Sequence, residues 1–438
     1  MLLEPARHEP LDPSLTWNEG RARAAIETIV STTVRERTPA GHWPVHPRDA
    51  EGNTPRSGFK SLYLGSAGVL WALWTLAREG AAAEVLDAAA GIEQALASYL
   101  AEPDDSGEVV PSYFLGETGI QLVRWRITGS AAAADRVYEC VRANIGNPTN
   151  EALWAAPGTM VAAWHLWQAT HKARWRDLFQ DNVEQVWRTW LFDEKAGCHL
   201  WTQDMYGSVV QYLGAGHGFA GNVYPLLMGS TLLSDERRGE LYERCVTTLR
   251  CFAQREDGAV NWPSGTFTPR AGSTRLLMQW CHGAPGIVTA LSAFPRGRSP
   301  ELDDLLLAGG EAIWRAGPLA KGHGLCHGTA GNGYALLKLF RRSGDEMWLT
   351  RARAFAMHAI GQCERMRERH GQGRHTLWTG DTGLALFLWH CRDGADKLPP
   401  LDFVREPEQS QASVEGPPLR GRSGRGEGRI YALLRPRL

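Results

Sequence analysis

The fold is decided by the stretch GLCHGTAGN, residues 324–332, and by the apolar run GYALL that follows it at 333–337. Within this stretch, Gly328 and Gly331 form a Gly-x-x-Gly step that leads from an irregular segment into an apolar one. Fixed-period self-similarity defines repeat architectures, so further copies of the step are the first feature to look for.

The Gly-x-x-Gly step recurs along the chain, each time before an apolar run. Six copies keep both glycines: GSAGVLWAL from Gly65, GETGIQLV from Gly116, GFAGNVYPLL from Gly218, GAPGIVTAL from Gly283, GTAGNGYALL from Gly328 and GDTGLALFLW from Gly380. A seventh copy is degenerate, because Ala155 replaces its first glycine while Gly158 keeps the second. The apolar runs predict seven helices that are buried on several sides.

A longer, charged segment of helical character precedes each step. In ERRGELYERCVTTLRCFAQ, from Glu236, apolar residues recur at three- and four-residue intervals with polar residues between them, which is typical of an amphipathic helix. The seven segments lie near 21–36, 82–101, 131–146, 172–191, 235–254, 301–316 and 344–368. The chain is therefore predicted to contain seven pairs of one outer and one inner helix.

Repeated helix pairs build either an open solenoid or a closed ring. An open solenoid requires regular repeat lengths and polar capping repeats. Here the second glycines are separated by intervals that range from 39 residues, Gly119 to Gly158, to 65 residues, Gly221 to Gly286. The unequal intervals favour an all-α fold, an α/α toroid of seven inner and seven outer helices, and the open solenoid is the alternative.

The domain organisation follows from where the repeats begin and end. We expect an N-terminal arm at 1–20, the toroid at 21–403 and a tail at 404–438. The tail is basic, rich in Gly, Pro and Arg, and almost without large apolar residues until its last nine positions, so it is predicted to be disordered.

The composition excludes several functions. The 438 residues carry a formal net charge of −1, which does not provide the basic surface that nucleic acids or anionic membranes require. Met1–Pro13 lacks the features of a secretory signal, and no run approaches the length of a transmembrane helix. We therefore expect a cytoplasmic protein whose eight cysteines are buried, metal-bound or catalytic rather than disulfide-bonded.

Two steps are preceded by a Cys-His pair. These pairs are Cys281-His282 and Cys326-His327, and a third step carries His217 without a cysteine. Thiolate and imidazole together suit Zn²⁺, and a ring fold brings equivalent repeat positions close to one another. The alternative is that these cysteines are small core residues and that the histidines are satisfied by backbone carbonyls.

The inner helices also predict the electrostatics of the site. If they run parallel, their N-termini gather at one end of the ring, where the helix dipoles favour anions such as a thiolate or an enolate. Six further cysteines lie away from the glycine steps, and we expect them in the core or on the surface: Cys140, Cys198, Cys245, Cys251, Cys363 and Cys391.

Over about residues 20–403 the chain resembles the lanthionine synthetase C (LanC) and LanC-like family. WCHGAPG and GLCHGTAGN resemble the two zinc-binding signatures of that family, and the seven steps resemble its double ring of helices. The resemblance implies one Zn²⁺ per chain, held by Cys281, Cys326 and His327, with the fourth position open for water or a substrate thiol.

The same resemblance assigns roles to three further residues. His217 matches the histidine proposed as general acid/base, Glu151 falls where the family has an acidic residue that assists the site, and Lys321 matches a lysine that contacts glutathione in LanC-like proteins. Leu277 stands where peptide cyclases of the family carry an arginine. This departure makes the cyclisation of a lantibiotic-type peptide less secure.

The implied reaction is the Michael-type addition of a thiol to dehydroalanine or dehydrobutyrine, which yields a thioether. The expected partners are a peptide or protein with a dehydroamino acid and, as thiol, either the peptide's own cysteine or glutathione. Two alternatives remain at this point. One is a glycosidase that uses Glu117, Glu151 and Asp381, and the other is a non-catalytic scaffold that binds zinc and glutathione.

Overall fold

The computed structural model describes residues 2–50, 54–83, 86–104, 107–267 and 276–403. The predicted disordered tail at 404–438 lies outside the described residues. In the part that the structure describes, no helix has both the length and the apolar character needed to cross a membrane.

Helices alternate along the described chain between an outer and an inner position. The outer helices are α1 (Glu19–Arg35), α3 (Ala88–Ala101), α5 (Ala131–Asn144), α7 (Ala173–Arg188), α9 (Asp235–Phe252), α11 (Pro300–Ala316) and α13 (Glu346–His370). The inner helices are α2 (Ser66–Arg78), α4 (Glu117–Thr128), α6 (Ala156–Thr170), α8 (Phe219–Met228), α10 (Ala284–Leu291), α12 (Thr329–Ser343) and α14 (Asp381–Cys391). The predicted seven pairs are confirmed, and every inner helix begins at a glycine step.

The outer helices bury one face and are capped by side chains. In α7 the buried residues follow helical spacing: Trp175, Leu178, Phe179, Asn182, Val183 and Val186. At the start of α9, the Ser234 side chain accepts a hydrogen bond from the N–H of Arg237, and side chains cap five other outer helices in the same way. The outer helices therefore have amphipathic sequences with defined starts.

The inner helices are buried over most of their length and start differently. All residues of α14 are buried, and the residues preceding the seven inner helices make no side-chain cap. Instead, the preceding loop folds back over the helix start. The N–H of Thr329 donates to the carbonyl of Gly322, seven positions earlier, and the same seven-residue hydrogen bond occurs at α2, α4, α8 and α14. The first N–H groups of these helices are thus satisfied by the loop itself and are not free donors for a ligand.

This folded-back loop explains the second glycine of each step. A Cβ atom at that position would lie 1.7–2.4 Å from the carbonyl oxygen of the residue six positions earlier, in all seven steps. At Gly331 the distance is 1.7 Å, to the carbonyl oxygen of Leu325. No side chain fits there without moving the backbone, which is why the degenerate step keeps Gly158.

Main-chain hydrogen bonds join the steps to one another. We use the name step ring for the residues two positions before the start of each step: Tyr63, Phe114, Leu153, Gly216, Cys281, Cys326 and Trp378. Five bonds run from the N–H of one member to the carbonyl of the next: Gly216 to Cys281 (3.2 Å), Cys281 to Cys326 (3.2 Å), Cys326 to Trp378 (2.8 Å), Trp378 to Tyr63 (3.4 Å) and Tyr63 to Phe114 (2.9 Å).

The bond between Trp378 and Tyr63 connects the last step with the first. In agreement with this, α14 packs against both α1 and α2. The predicted all-α toroid is therefore confirmed, and the open solenoid is excluded. The seven step-ring residues lie at one end of the inner helices, which we call the site end.

Among the described residues, three antiparallel hairpins of three-residue strands interrupt the helical pattern, and the sequence did not predict them. Two follow α7 and pair β1 (Leu191–Asp193) with β2 (Cys198–Leu200) and β3 (Gln203–Met205) with β4 (Ser208–Val210); the third follows α9 and pairs β5 (Gln254–Glu256) with β6 (Ala259–Asn261). The turn of the second hairpin carries Tyr206, whose hydroxyl accepts a hydrogen bond from Trp154 Nε1 at 2.8 Å. This hairpin therefore lies against the site end.

The segment before α1 is also held in place. The N–H of Glu9 donates to the carbonyl of Pro318, and the N–H of Ala320 donates to the carbonyl of Arg7. The Glu9 carboxylate hydrogen-bonds to His358 Nε2 at 2.7 Å. These contacts fix the loop that leads from α11 towards Cys326.

Candidate metal and thiol site

Two buried cysteines and one histidine meet in the step ring. The Sγ atoms of Cys281 and Cys326 and a ring nitrogen of His327 all lie within 4.8 Å of one another. The main-chain bond between Cys281 and Cys326 holds the two loops at this separation. The structure thus brings together the three residues that the resemblance names as metal ligands, while their role stays a prediction.

The two thiols are not equivalent. Hydrogen bonds from Cys326 and His327 lower the pKa of Cys281 well below its usual value, although burial opposes this shift. Gln279 Nε2 adds a further hydrogen bond to Cys281 Sγ at 3.0 Å. Burial raises the pKa of Cys326 well above its usual value. The surroundings therefore favour the thiolate form at Cys281 more than at Cys326.

This donor set fits a zinc ion. Sulfur and imidazole nitrogen are the ligands that Zn²⁺ prefers, and three protein ligands leave one tetrahedral position for an exchangeable group. His282, next to Cys281 in sequence, is not in the cluster of donor atoms. Burial lowers the pKa of His282 to about 4, and its Nδ1 has no hydrogen-bond partner among the described residues. His282 is therefore a neutral ring beside the cluster.

A histidine–carboxylate pair lies next to the thiols. His217 Nδ1 is 2.8 Å from Glu151 Oε2, and the Glu151 carboxylate also accepts hydrogen bonds from the N–H groups of Leu153 and Trp154. Because the carboxylate accepts at each contact, His217 donates from Nδ1 and its Nε2 is the atom that can exchange a proton. Glu151 is fully buried, whereas the His217 side chain is 20 % exposed. The carboxylate orients the imidazole, which remains accessible.

The electrostatics of His217 depend on both of its neighbours. Burial alone would lower the pKa of His217, but the hydrogen bond to Glu151 and the negative charges of Glu151 and Cys281 outweigh it and raise the pKa. The link to the thiol cluster is direct, because the N–H of Gly216 donates to the carbonyl of Cys281 at 3.2 Å. His217 and Cys281 therefore belong to one site.

Lys321 lies in the loop before Cys326. Its side chain is exposed, and its positive charge acts on the Cys326 thiol by lowering its pKa, against the larger effect of burial. An exposed ammonium near the thiols is suitable for holding a carboxylate of a bound ligand. Leu277, where cyclases of the family carry an arginine, is half-buried and supplies no charge.

Tyr63 is a site residue that the sequence analysis missed. Its hydroxyl hydrogen-bonds to Cys326, and burial together with the nearby thiols raises its pKa well above the usual value. Tyr63 stacks on Trp378 with ring centroids 6.0 Å apart, and Trp280 lies 4.5 Å from Trp378. These rings form an apolar floor beside the thiols. The repeat register contained the signal, because Tyr63 precedes its glycine by the same two positions as Cys281 and Cys326.

The remaining carboxylates of the glycosidase alternative are engaged elsewhere. Glu117 forms an ion pair with Arg136 at 2.7 Å. Asp381 pairs with His323 at 2.8 Å and with Arg367 at 2.9 Å, and this buried cluster ties the loop before Cys326 to α14. Both carboxylates are held by cations, so neither is arranged as a free acid or base of a glycoside-cleaving pair.

The protein is thus a helical toroid, a closed ring of seven helix pairs, with a cluster of thiols and imidazole at one end. Such a cluster is suited to soft-metal and thiol chemistry. A family model described as "Lanthionine synthetase C-like protein" matches residues 58–402. The chain belongs to the lanthionine synthetase C-like family, and the resemblance stated from its motifs is confirmed.

Comparisons with individual proteins agree with this assignment. The zebrafish protein named Glutathione S-transferase LANCL1 is 34 % identical over 203 residues, 46 % of this chain and 44 % of that protein. The Arabidopsis thaliana LanC-like protein GCL1 is 35 % identical over 200 residues, 44 % of this chain and 42 % of that protein. The matched part thus spans less than half the length of these curated relatives. Nisin cyclase shares the fold, with a TM-score of 0.59 at 15 % identity over 86 % of this chain and 95 % of that chain.

Proposed function

We propose that this chain is a zinc-dependent enzyme that adds a thiol to dehydroalanine or dehydrobutyrine in a peptide or protein and so forms a thioether. The proposal rests on one observation: the thiol cluster and the histidine–carboxylate pair lie next to each other. The cluster of Cys281, Cys326 and His327 is joined through the Gly216 main chain to the His217–Glu151 pair. One part is suited to activating sulfur and the other to moving a proton.

Cys281, Cys326 and His327 would hold the proposed single Zn²⁺. When bound, the ion would lower the pKa of a thiol at its open position so that the thiolate prevails near neutral pH. The aromatic floor beside these residues limits the access of water from that side. The hydrogen bond from Gln279 to Cys281 fixes the direction of one sulfur lone pair.

His217 would carry the proton through the reaction. Its Nε2 takes the proton of the incoming thiol, and the sulfur then bonds to the β-carbon of the dehydroamino acid while the C=C electrons move to the carbonyl oxygen as an enolate. The same Nε2 returns the proton to the α-carbon, so the addition gains and loses no atoms overall. Glu151 stabilises the protonated imidazole between these two transfers.

Glutathione is the thiol that the site favours in our proposal. Lys321 offers a cation near the thiols for a carboxylate of the tripeptide, and one relative is named as a glutathione S-transferase. Leu277 lacks the charge that cyclases of the family carry at that position. The fold shared with nisin cyclase keeps a peptide cysteine as the second possible thiol. We place this activity in the cytoplasm.

The test combines zinc analysis with a product assay. Purified protein should contain about one zinc per chain, and incubation with glutathione and a dehydroalanine peptide should give the thioether adduct, detected by mass spectrometry. Removing zinc with a chelator should stop product formation, and adding zinc back should restore it. Wild-type protein without zinc would overturn the proposed metal site.

The same assay separates catalysis from a scaffold role. A protein that holds zinc and binds glutathione, but forms adduct no faster than the uncatalysed mixture, would be a zinc and glutathione scaffold rather than an enzyme. A peptide that carries both a cysteine and a dehydroalanine tests cyclisation directly. If this peptide forms a ring in the absence of glutathione, the thiol substrate is the peptide's own cysteine and not glutathione.

A further inference from the structure

Two cysteines outside the site meet where the first hairpin packs on an outer helix. Cys198 begins β2, and Cys251 lies in the last turn of α9. Thr248 Oγ1 of α9 donates to the carbonyl of His199 at 3.1 Å, and Cys251 Sγ lies 4.0 Å from the carbonyl oxygen of Gly197. The backbone of β2 is thus fixed against the end of α9, with the two cysteines facing each other.

The two thiols are free and in contact. The Cys198 and Cys251 side chains hydrogen-bond to each other, and neither forms a disulfide. Cys198 is fully buried, whereas Cys251 is exposed to solvent. Because Cys251 is exposed at the end of α9, its side chain is free to turn towards Cys198, and an adjustment of β2 or of the helix end then brings the two sulfurs to the S–S distance of about 2.05 Å.

We propose that Cys198 and Cys251 form a redox-active dithiol whose co-substrate is a low-molecular-weight disulfide of the glutathione type. The Cys251 thiolate attacks one sulfur of the disulfide and releases the first thiol, which leaves a mixed disulfide on Cys251. The Cys198 thiolate then attacks the Cys251 sulfur and releases the second thiol. Two protein thiols are oxidised to one disulfide while one small disulfide is reduced to two thiols, so atoms and electrons balance.

The asymmetry of the pair sets the order of the two steps. Burial, with a contribution from neighbouring Cys251, raises the pKa of Cys198 to about 12. The exposed Cys251 is therefore the sulfur that meets an incoming disulfide, and Cys198 resolves the mixed disulfide from inside. Cys245 lies earlier on the same helix, α9, and is fully buried. It is therefore a matched control for the two paired cysteines.

The proposal does not depend on the proposed enzymatic function. No step involves the residues of the thiol cluster, and the dithiol would react in the same way in a protein that only binds zinc. Its consequence is structural, because the disulfide would tie the first hairpin to α9 covalently. The second hairpin, which carries Tyr206 to the site end, begins only a few residues after β2.

The experiment uses the full, zinc-loaded chain equilibrated with glutathione disulfide and glutathione at several ratios. Excess thiol is blocked by alkylation, and the protein is examined by intact mass and by peptide mapping without reduction. We expect a species that carries two fewer alkyl groups than the reduced protein treated in the same way, and a cross-linked peptide pair containing Cys198 and Cys251. Adding reduced glutathione should return this species to the starting mass.

Variants test the order of the two steps. Cys198→Ser should change the main oxidised product to a protein that is heavier by one glutathionyl group on Cys251, and Cys251→Ser should remove both products. Cys245→Ser should behave like the wild type. Absence of the Cys198–Cys251 cross-link in the oxidised wild-type protein would overturn the proposal, and that result requires no variant to fold. An equal yield of disulfide from Cys251→Ser would overturn it as well.

Discussion

The step ring contains two runs of three consecutive steps, a reactive half and an aromatic half, which share one backbone arrangement and differ in their side chains; the seventh member, Leu153, belongs to neither. In the reactive half, the steps before α8, α10 and α12 carry His217, Cys281, Cys326 and His327. In the aromatic half, the steps before α14, α2 and α4 carry Trp378, Tyr63 and Phe114 at the positions that correspond to the cysteines. The same main-chain hydrogen bonds run through both halves without a change in register.

The two halves share a backbone frame but differ in the reactive groups that the frame holds. The frame consists of the folded-back loops, the second glycines and the bonds between neighbouring steps, and all of these are repeated. The chemistry depends on only two positions per step, those directly before the glycine. The aromatic half also contributes to the site, because the Tyr63 hydroxyl hydrogen-bonds to Cys326. The five predictions below test this division, beginning with the largest expected effect.

Removing one sulfur from the reactive half should abolish the site. In Cys326→Ala only two of the proposed ligands remain, so zinc content should fall from about one per chain to near zero and thioether formation to the uncatalysed rate. Elemental analysis and the adduct assay measure the two effects. Cys245→Ala, which removes a buried thiol from α9, is the control and should keep zinc and activity. Full zinc occupancy in Cys326→Ala would contradict the ligand assignment.

Removing the imidazole should separate catalysis from metal binding. His217→Ala keeps all three proposed ligands but loses the proton carrier, so the rate should fall by about 10²- to 10⁴-fold while zinc content stays unchanged. The adduct assay at fixed zinc occupancy measures the effect. Equal rates for the wild type and this variant would remove His217 from the mechanism.

Adding a methyl group at the second glycine should destabilise both halves. In Gly331→Ala and in Gly383→Ala, the new Cβ would lie 1.7 and 2.1 Å from a carbonyl oxygen. Each variant should lose about 3 kcal/mol of the free energy of unfolding, measured by urea denaturation. Gly239→Ala is the control, because nothing surrounds that position in α9, and helix propensity predicts a gain of up to about 1 kcal/mol. A loss confined to Gly331→Ala would show that the frame is not shared.

Neutralising the carboxylate should shift the pH profile. Glu151→Gln removes the charge that raises the pKa of His217, while burial, which lowers it, remains. Because His217 must be neutral to take the proton of the thiol, the acid limb of the rate profile should move to lower pH, with a rate about 10- to 100-fold lower at neutral pH because the protonated imidazole is no longer stabilised by a carboxylate. Zinc content should be unchanged. An acid limb at the wild-type position would show that Glu151 does not act on the titrating group.

The smallest effect should come from the aromatic half. Tyr63→Phe removes one hydrogen bond to Cys326, a loss of about 1 kcal/mol that should weaken zinc binding by about fivefold. Competition with a chromophoric chelator measures this change. Tyr113→Phe is the matched control, because the Tyr113 hydroxyl donates to the carbonyl of Pro400 and not to a thiol. Identical zinc affinity in the two variants would mean that Tyr63 is only part of the floor.

Much of the frame was predictable because the sequence that forms it is repeated along the chain. The period of the glycine steps, together with helical spacing in segments such as Ala173–Arg188, was enough to predict fourteen helices and their pairing. The hairpins were not predictable in the same way. Their strands have three residues each, and such short segments carry no periodic pattern that distinguishes them from loops.

The site was predictable to a smaller extent. The motifs around Cys281 and Cys326 pointed to a cluster, but spacing alone did not connect Glu151 with His217; the resemblance to a family did. Tyr63 was missed because tyrosine is not a usual metal ligand, although its register was visible. The N-termini of the inner helices illustrate a different limit. The sequence predicts their dipoles, but only the structure shows that the loops already use their N–H groups.

The main-chain hydrogen bond from Trp378 to Tyr63, which closes the ring, has a consequence for the folding of the chain during its synthesis. The aromatic rings beside the thiols come from the loops before the first and the last inner helix, and the N–H of Cys326 donates to the carbonyl of Trp378. During synthesis, therefore, both cysteines leave the ribosome before the loop that positions them exists. Until the loop before α14 has been translated, these thiols lack the neighbours that complete the site, so we expect the proposed metal to bind only after the ring has closed.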